Sequence, residues 1–356
     1  MALLHEHIIK NDQVLYFKVT KLKKHKLLDH MTKVKHNTTG IKTAKKKKYK
    51  ITNWSAYNKS LTQRGSLEIW LDTDIIDNWR YSGPKYQGGQ FEFSDSCIIC
   101  LLQLKAVYKL PYRQLEGFIN SILRMMNIDY KSPSYSQICR RAKSLEVDID
   151  ARKPKGKIYL VVDSTGLKVY GEGEWKTRKH GVSKRRTWRK LHVGVDEKTG
   201  IIHSAILTKN GKGNGDAQQT KKLLDQTEAN IDKFSGDGAY DTYEVWSLLK
   251  ELGIEGIIPP QENAVYWEDS DGNLLDLKRN DILKEIDQTN RKEWKKKSGY
   301  HRRSLSETAM MRYKTILGAT LYSRIFEKQK TENLIKIKCL NKMTRIGMPN
   351  SIVIDN

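Results

Sequence analysis

Two aspartates occupy positions where an α/β protein can present a carboxylate to a ligand. Asp163 follows the apolar run Ile158-Tyr159-Leu160-Val161-Val162 and precedes Ser164-Thr165-Gly166. Asp237 follows Lys233-Phe234-Ser235 and lies within Gly236-Asp237-Gly238-Ala239-Tyr240-Asp241. Open α/β sheets place their sites at the carboxyl ends of such strands, and the glycines permit tight turns and close approach of a ligand. Taken singly, each aspartate also fits the commoner role of satisfying a turn. A third segment carries a pattern. Arg303, Glu307 and Lys314 lie three, seven and fourteen residues beyond Tyr300 in a helix expected over about 302–326. At about 100° per residue, all four fall within roughly 60° of one another. A carboxylate beside two cations and a phenol suits a phosphate and a metal ion. The alternative is a solvated polar stripe, and Leu305, Met310 and Ile316 give the helix a separate apolar face to bury.

These residues need a frame. The chain has 356 residues, 38% hydrophobic and 30% charged, which places it among globular proteins and allows one large or two to three smaller units. The run 158–162 reads as a central strand covered on both faces. Residues 188–195 alternate and turn through 197–200 into 201–207, a hairpin. Asp216 is expected to cap a helix reaching about 230. A strand at 233–235, a helix over 242–252 and a strand at 254–258 stopped by Pro259-Pro260 follow. Residues 261–297 read as a polar, irregular insertion. This is an α/β mixed sheet over 151–330, with a C-terminal segment at 331–356.

Upstream, 51–150 reads as helical. A helix is expected at 94–108, and Pro111 suits the first turn of another at 112–126. Ser132 can cap a third that starts at Pro133 and carries Gln137, Arg140, Arg141 and Lys143. Helix, short turn and basic helix suggest a helix-turn-helix-like unit, with Arg140 and Arg141 as DNA contacts. An ordinary three-helix core explains the spacing equally well.

Charge points to the partner. Lys and Arg total 65 against 41 acids, a net charge of +24 that implies a polyanion, for which nucleic acid is the usual case. Residues 1–50 hold 14 Lys and three acids and read as a mostly disordered tail, with Met31 an alternative start. The loop 176–190 carries eight Lys or Arg and no acid. It joins the first two strands beside Asp163, so Arg178, Lys179, Lys184, Arg185 and Arg186 are candidate DNA contacts, against a merely solvated loop. Trp294 fits base stacking or a core equally. Asp196, Asp216 and Asp241 are expected to serve turns and caps.

Other classes are disfavoured. No apolar run approaches the roughly 18 residues of a membrane span, and the N-terminus lacks a secretory layout, so a cytoplasmic, nucleoid-associated protein is expected. Four cysteines are too few for a disulfide framework. Cys97 and Cys100, a lone C-x-x-C, read as small hydrophobes on a buried helix.

The spacing Tyr300-x2-Arg303-x3-Glu307-x6-Lys314 resembles the helix motif of the DDE transposases of bacterial insertion sequences. The blocks around Asp163 and Asp237 resemble that family's two aspartate motifs, and Trp188-Arg189-Lys190-Leu191-His192-Val193-Gly194-Val195-Asp196 resembles its second-strand block. Arg64-Gly65-Ser66-Leu67-Glu68-Ile69-Trp70 and Leu110-Pro111-Tyr112-Arg113-Gln114-Leu115-Glu116-Gly117-Phe118 are similar to the N-terminal half of the insertion-sequence-five group. The likeness runs from about Trp54 to the C-terminus. It implies a ribonuclease H-like catalytic domain preceded by a helical DNA-binding region. It further implies two Mg²⁺ ions, with Mn²⁺ able to substitute, on Asp163, Asp237 and Glu307. Tyr300, Arg303 and Lys314 would be DNA contacts. The partners would be double-stranded DNA, as inverted-repeat ends and target, and a second copy in a DNA-bound homodimer. A DNA-binding regulator that does not cut and a nuclease on the same scaffold are the rival readings.

Overall fold

The computed structural model describes residues 48–84, 87–88, 91–152, 154–171, 187–209, 211 and 213–354. Met1, Met31 and the proposed contacts Arg178, Lys179, Lys184, Arg185 and Arg186 lie outside them. The chain divides into two units, 1–50 with 351–356, and 51–350. Strand β1 (Lys48–Ile51) pairs with β8 (Ser351–Ile354) in a two-stranded sheet.

The larger unit opens with helices α1 (Trp54–Arg64), α2 (Leu67–Trp70), α3 (Thr73–Asp77), α4 (Asp95–Val107), α5 (Tyr112–Met125) and α6 (Tyr135–Arg141). The Ser94 hydroxyl caps α4 by accepting from the Cys97 amide at 3.0 Å. Cys97 and Cys100 are buried on that helix, as their apolar surroundings predict, and burial pushes the Cys100 thiol up to about 12. On α5 the buried residues Leu115, Ile119, Ile122 and Leu123 form one stripe. The start of α6 differs from the sequence reading. Ser134, not Ser132, is its cap, in a reciprocal capping box with Gln137. Two candidate caps two residues apart are separated only by which hydroxyl reaches the N3 amide.

The sheet follows. It contains β2 (Ile158–Val169), β3 (Trp188–Asp196), β4 (Ile202–Lys209), β5 (Ile231–Ser235), β6 (Glu255–Ile257) and β7 (Thr320–Leu321), in the order β4-β3-β2-β5-β6, with β7 beside the far end of β2. β3 is antiparallel to both β2 and β4, while β5 runs parallel to β2 and β6. The expected hairpin is β3–β4. Asp196 closes its turn by accepting from the amides of Lys198 and Thr199, and Gly200 supplies φ +68. Between β4 and β6 lie α7 (Thr220–Gln226) and α8 (Tyr243–Glu251).

One sheet face meets Leu223, Trp246 and Trp294 through Leu160, Val162 and Phe234. The other meets α4, α5 and the C-terminal helix through Leu167, Leu191, Val193 and Val195. The two-residue period of a strand therefore fixes where chemistry can stand. Odd-numbered Asp163 belongs to the Leu167 face and even-numbered Ser164 to the other.

Two segments differ from the sequence reading. Residues 261–297 are not irregular throughout, because α9 (Lys278–Gln288) buries Ile282 and Leu283, and α10 (Arg291–Lys297) buries Trp294. Their high charge hides a narrow apolar stripe. The long helix expected over 302–326 is instead broken. A 3₁₀ turn at Tyr300–Arg303 leads into α11 (Ser304–Arg312), which widens to a π turn at Tyr313–Leu317. Gly318 at φ +87 ends it, and β7 pairs with β2 before α12 (Phe326–Ile346) begins. A strand of two residues has no periodicity to read.

Among the described residues no helix is long and apolar enough to cross a membrane.

Candidate active site

Asp163 is not at the end of its own strand. β2 continues six residues past it, paired to β3 as far as Lys168. The parallel neighbour stops instead: β2 pairs with β5 only as far as Val161 opposite Ser235. β7 joins at Lys168. Residues 162–167 thus face a gap in the sheet on one side, and Asp163 lies at its near edge.

Asp237 stands on the other side of that gap, two residues beyond β5. Its carboxylate accepts from the Ala239 amide at 2.9 Å and starts a 3₁₀ turn over Gly238–Tyr240. Gly236 is required for space, since a Cβ there would come within 2.6 Å of the Tyr240 ring.

The segment from Tyr300 to Lys314 delivers the remaining groups. Arg303 donates to Asp163 Oδ2 at 3.2 Å and to Glu307 Oε1 at 2.6 Å, so one guanidinium bridges two carboxylates. Lys314 Nζ donates to Thr165 Oγ1 at 2.5 Å, two residues along β2 from Asp163. Tyr300 rests against Trp294, ring centroids 6.2 Å apart, with the Arg303 guanidinium 6.0 Å from its own ring. Arg303 and Lys314 both reach β2, at Asp163 and Thr165, and Arg303 also touches Glu307 and lies beside Tyr300, although the helical segment carrying them changes pitch twice.

Electrostatics link the set. Burial pushes the Asp163 carboxyl above the usual carboxylate range. The Ser164 amide and Arg303 oppose this, while Asp237 and Glu307 add to it. Burial also raises the Tyr300 phenol. Arg303 opposes that rise, and Asp237, Asp163 and Glu307 reinforce it. The three carboxylates and the phenol therefore feel one another's charge. Glu307 remains accessible, its side chain 57% exposed against 15% for Asp163.

Other predicted contacts differ in their surroundings. Arg140 is exposed at the end of α6. Arg141 is engaged internally, donating to the Phe93 carbonyl at 2.9 Å and pairing with Asp95. Trp294 is buried.

Sequence reasoning missed three participants. Ser164 donates its amide to Asp163 Oδ1 at 2.8 Å, and buried Ser306 places its hydroxyl 3.4 Å from Oδ2. Asp216 is the third. It makes no capping bond; its carboxylate takes Lys190 Nζ at 2.8 Å and stands 3.1 Å from His192 Nδ1. Asp241 is no cap either. It is a buried partner of Arg279 at 2.9 Å, and Thr242 caps α8. Both aspartates precede helices closely enough to imitate caps in sequence.

Burial would raise Asp216, but the polar side chains around it, His192, Lys190 and Ser164, outweigh that and hold the carboxyl well below the usual range. A folded pKa depressed below the unfolded value of about 3.8 contributes stability above that value and loses it as pH falls towards the folded one. Asp216→Asn is therefore expected to flatten the acid limb of stability against pH. Urea midpoints between pH 7 and pH 2 read this directly, and an unchanged limb would contradict the pairing.

The donor set is all carboxylate oxygen, which suits a hard divalent cation. The Tyr240 hydroxyl, buried without a hydrogen-bond partner, adds a polar atom that feels Asp216, Asp163 and Asp237. As arranged, the described residues bring no three His, Cys, Asp or Glu groups together closely enough to hold a metal. Arg303 holds the position between Asp163 and Glu307, so a cation entering there must displace it.

Comparison with known proteins decides the family. A family model described as a transposase DDE domain matches residues 154–342, more than half of the chain, and a second model of the same description matches residues 62–172. The chain is a DDE transposase. Among solved structures, this transposase is similar to a piggyBac transposase synaptic complex with hairpin DNA, at 11% identity and a TM-score of 0.36, covering 80% of this chain and 73% of that one. It is also similar to a Drosophila P element transposase strand transfer complex, at 15% identity and a TM-score of 0.27, covering 62% and 46%. A simian T-cell lymphotropic virus intasome matches at 14% identity and a TM-score of 0.21, covering 58% and 69%. The transposase is thus an enzyme whose matched domain includes Asp163, Asp237 and Glu307.

Proposed function

We propose that this transposase binds the inverted-repeat ends of an insertion sequence of the insertion-sequence-five group and catalyses their metal-dependent cleavage and strand transfer. The observation that carries this reading is the gap in the sheet. Asp163 on β2 and Asp237 just beyond the end of β5 flank it, and Arg303 ties Glu307 to Asp163.

Asp163, Asp237 and Glu307 would hold two Mg²⁺ ions, with Mn²⁺ as substitute. Bound there, the ions would supply Lewis-acid stabilisation of the attacking and leaving oxygens of an in-line displacement. The chain's own residues do the positioning. Arg303, freed from its two carboxylates, and Lys314 hold backbone phosphates beside the scissile bond. Tyr300, a raised phenol, serves as a hydrogen-bond donor and not as a nucleophile. Water attacks phosphorus at the element end and releases a 3′-hydroxyl. That hydroxyl then attacks a target phosphodiester, forming one O–P bond as another breaks, so no covalent enzyme–DNA intermediate is needed.

In this reading 51–150 is a helical region for end recognition, with Arg140 on α6 facing DNA. Residues 151–330 form a ribonuclease H-like catalytic domain, supported by the antiparallel β3–β4 hairpin beside three parallel strands, β2, β5 and β6. The basic loop adds phosphate contacts, 331–356 is a C-terminal segment, and two copies act together on paired ends in the nucleoid. Lys314→Ala is expected to weaken binding to an end duplex and to lower the slope of log affinity against log salt by about one. A filter-binding series in salt measures it, and an unchanged slope would remove Lys314 from the DNA contacts.

The deciding experiment incubates the protein with a labelled element-end duplex and a target plasmid, with Mg²⁺ or with chelator. Metal-dependent nicking at the end together with joined product is expected. Binding without cleavage would support a DNA-binding regulator, and cutting without joining a nuclease.

A further inference from the structure

Leu110-Pro111-Tyr112, a block the catalytic reading leaves unused, joins α4 to α5, and a second bend at Leu317-Gly318 ends the segment that carries Glu307 and Lys314. Both bends use left-handed backbone, with Lys109 at φ +57 and Gly318 at φ +87. Together with α12 they line a cavity of about 560 Å³. That volume suits one small organic molecule rather than a duplex. Its apolar walls are Leu102, Ala106 and Ala142 from the helical region, with Leu317 and Ile335 from the catalytic segment and α12.

The charge of the lining points to a ligand. Four lysines, Lys105, Lys109, Lys328 and Lys336, stand against one carboxylate, Glu332. That carboxylate is already engaged. It accepts from the Tyr322 amide at 3.0 Å and the Ser323 amide at 2.9 Å, and it pairs with Lys336 at 3.5 Å. Lys336 also donates to the Thr320 carbonyl at 2.8 Å, and Lys328 to Cys139 Sγ at 3.3 Å. Lys105 differs. Among the described residues its ammonium makes no hydrogen bond or ion pair, and it stands 4.9 Å from the centre of the Tyr112 ring. Burial lowers it below the usual lysine range, with Glu332 and Cys139 opposing. A buried cation without a counter-charge is costly, and an anion beside it offsets that cost.

We propose that this cavity binds a small organic phosphate, its apolar body against Leu102, Ala106 and Ile335 and its phosphate on Lys105. A phosphate monoester carries a charge of about −1.5 to −2 at pH 7, which answers the excess of lysines. The site is separate from the catalytic carboxylates, none of which lines the cavity.

The test is isothermal titration calorimetry of the full chain with 1-naphthyl phosphate, 1-naphthol and inorganic phosphate, with thermal midpoints in parallel. The ester should bind at one site, and its two halves should each bind at least about tenfold more weakly. Lys105→Met should weaken the ester by about tenfold or more, the loss of one charge-assisted hydrogen bond. Its thermal midpoint should hold or rise, because a buried unpaired cation is removed, so the lost affinity is not lost fold. Ala106→Phe, which fills the cavity, should abolish binding; if that variant fails to fold, Lys105→Met decides alone. Lys314→Met, at the catalytic site, should change the affinity by no more than about twofold, as expected of a distant position. Absence of binding at millimolar ester, 1-naphthol binding as tightly as the ester, an affinity unchanged by Lys105→Met, or a loss on Lys314→Met alone would each overturn the proposal.

Discussion

Asp163→Ala, Asp237→Ala and Glu307→Ala should each abolish metal-dependent nicking of an element-end duplex, by at least about 10³-fold, while leaving duplex binding within a few-fold. The size follows from the chemistry. Lewis-acid stabilisation at phosphorus contributes several kcal/mol, and each 1.36 kcal/mol is tenfold in rate. The direction on binding is set by charge, because removing a carboxylate from a chain of net charge +24 cannot weaken its attraction to phosphate. The three residues act as a unit, so a double variant should be no slower than the worst single. Single-turnover cleavage with Mg²⁺, beside gel-shift affinity, measures both. Appreciable cleavage by any one of the three would remove that residue from the site.

The largest effect on stability is expected at Asp241. Its carboxylate accepts from Arg279 Nε and Trp246 Nε1, each at 2.9 Å, and from the Gln261 amide at 3.1 Å. The two charged side chains are 1% and 4% exposed. Arg279 is further fixed by the Val265 carbonyl at 2.8 Å and by the Trp267 ring, 3.8 Å from its guanidinium carbon. Asp241→Ala strands that guanidinium without a counter-charge, which costs about 3–5 kcal/mol. Asp241→Leu with Arg279→Met should recover much of the loss, since apolar residues of similar volume need no desolvation compensation. Urea denaturation read by Trp fluorescence tests this, and a loss below about 1 kcal/mol in the single variant would show that the pair is hydrated.

Both predictions concern aspartates that look alike in sequence, each near the start of a helical stretch or the end of a strand. Asp163 and Asp237 were legible as candidates because each follows a stretch that reads as a strand, and the helix spacing of Arg303, Glu307 and Lys314 added a face. Sequence by itself determined that much: strand parity, the β3–β4 hairpin, buried Cys97 and Cys100, and the charge. All of these are local, carried by periods of 2 and 3.6 residues along the chain. The tertiary structure decided the rest. β5 stops at Ser235 and opens the gap, β7 arrives from 152 residues away to close its far end, and Arg303 occupies the space between Asp163 and Glu307. It also paired Asp216 with Lys190 and placed Asp241 in the core, because a buried carboxylate takes its role from the donors that folding brings to it, and those donors lie up to 38 residues away along the chain.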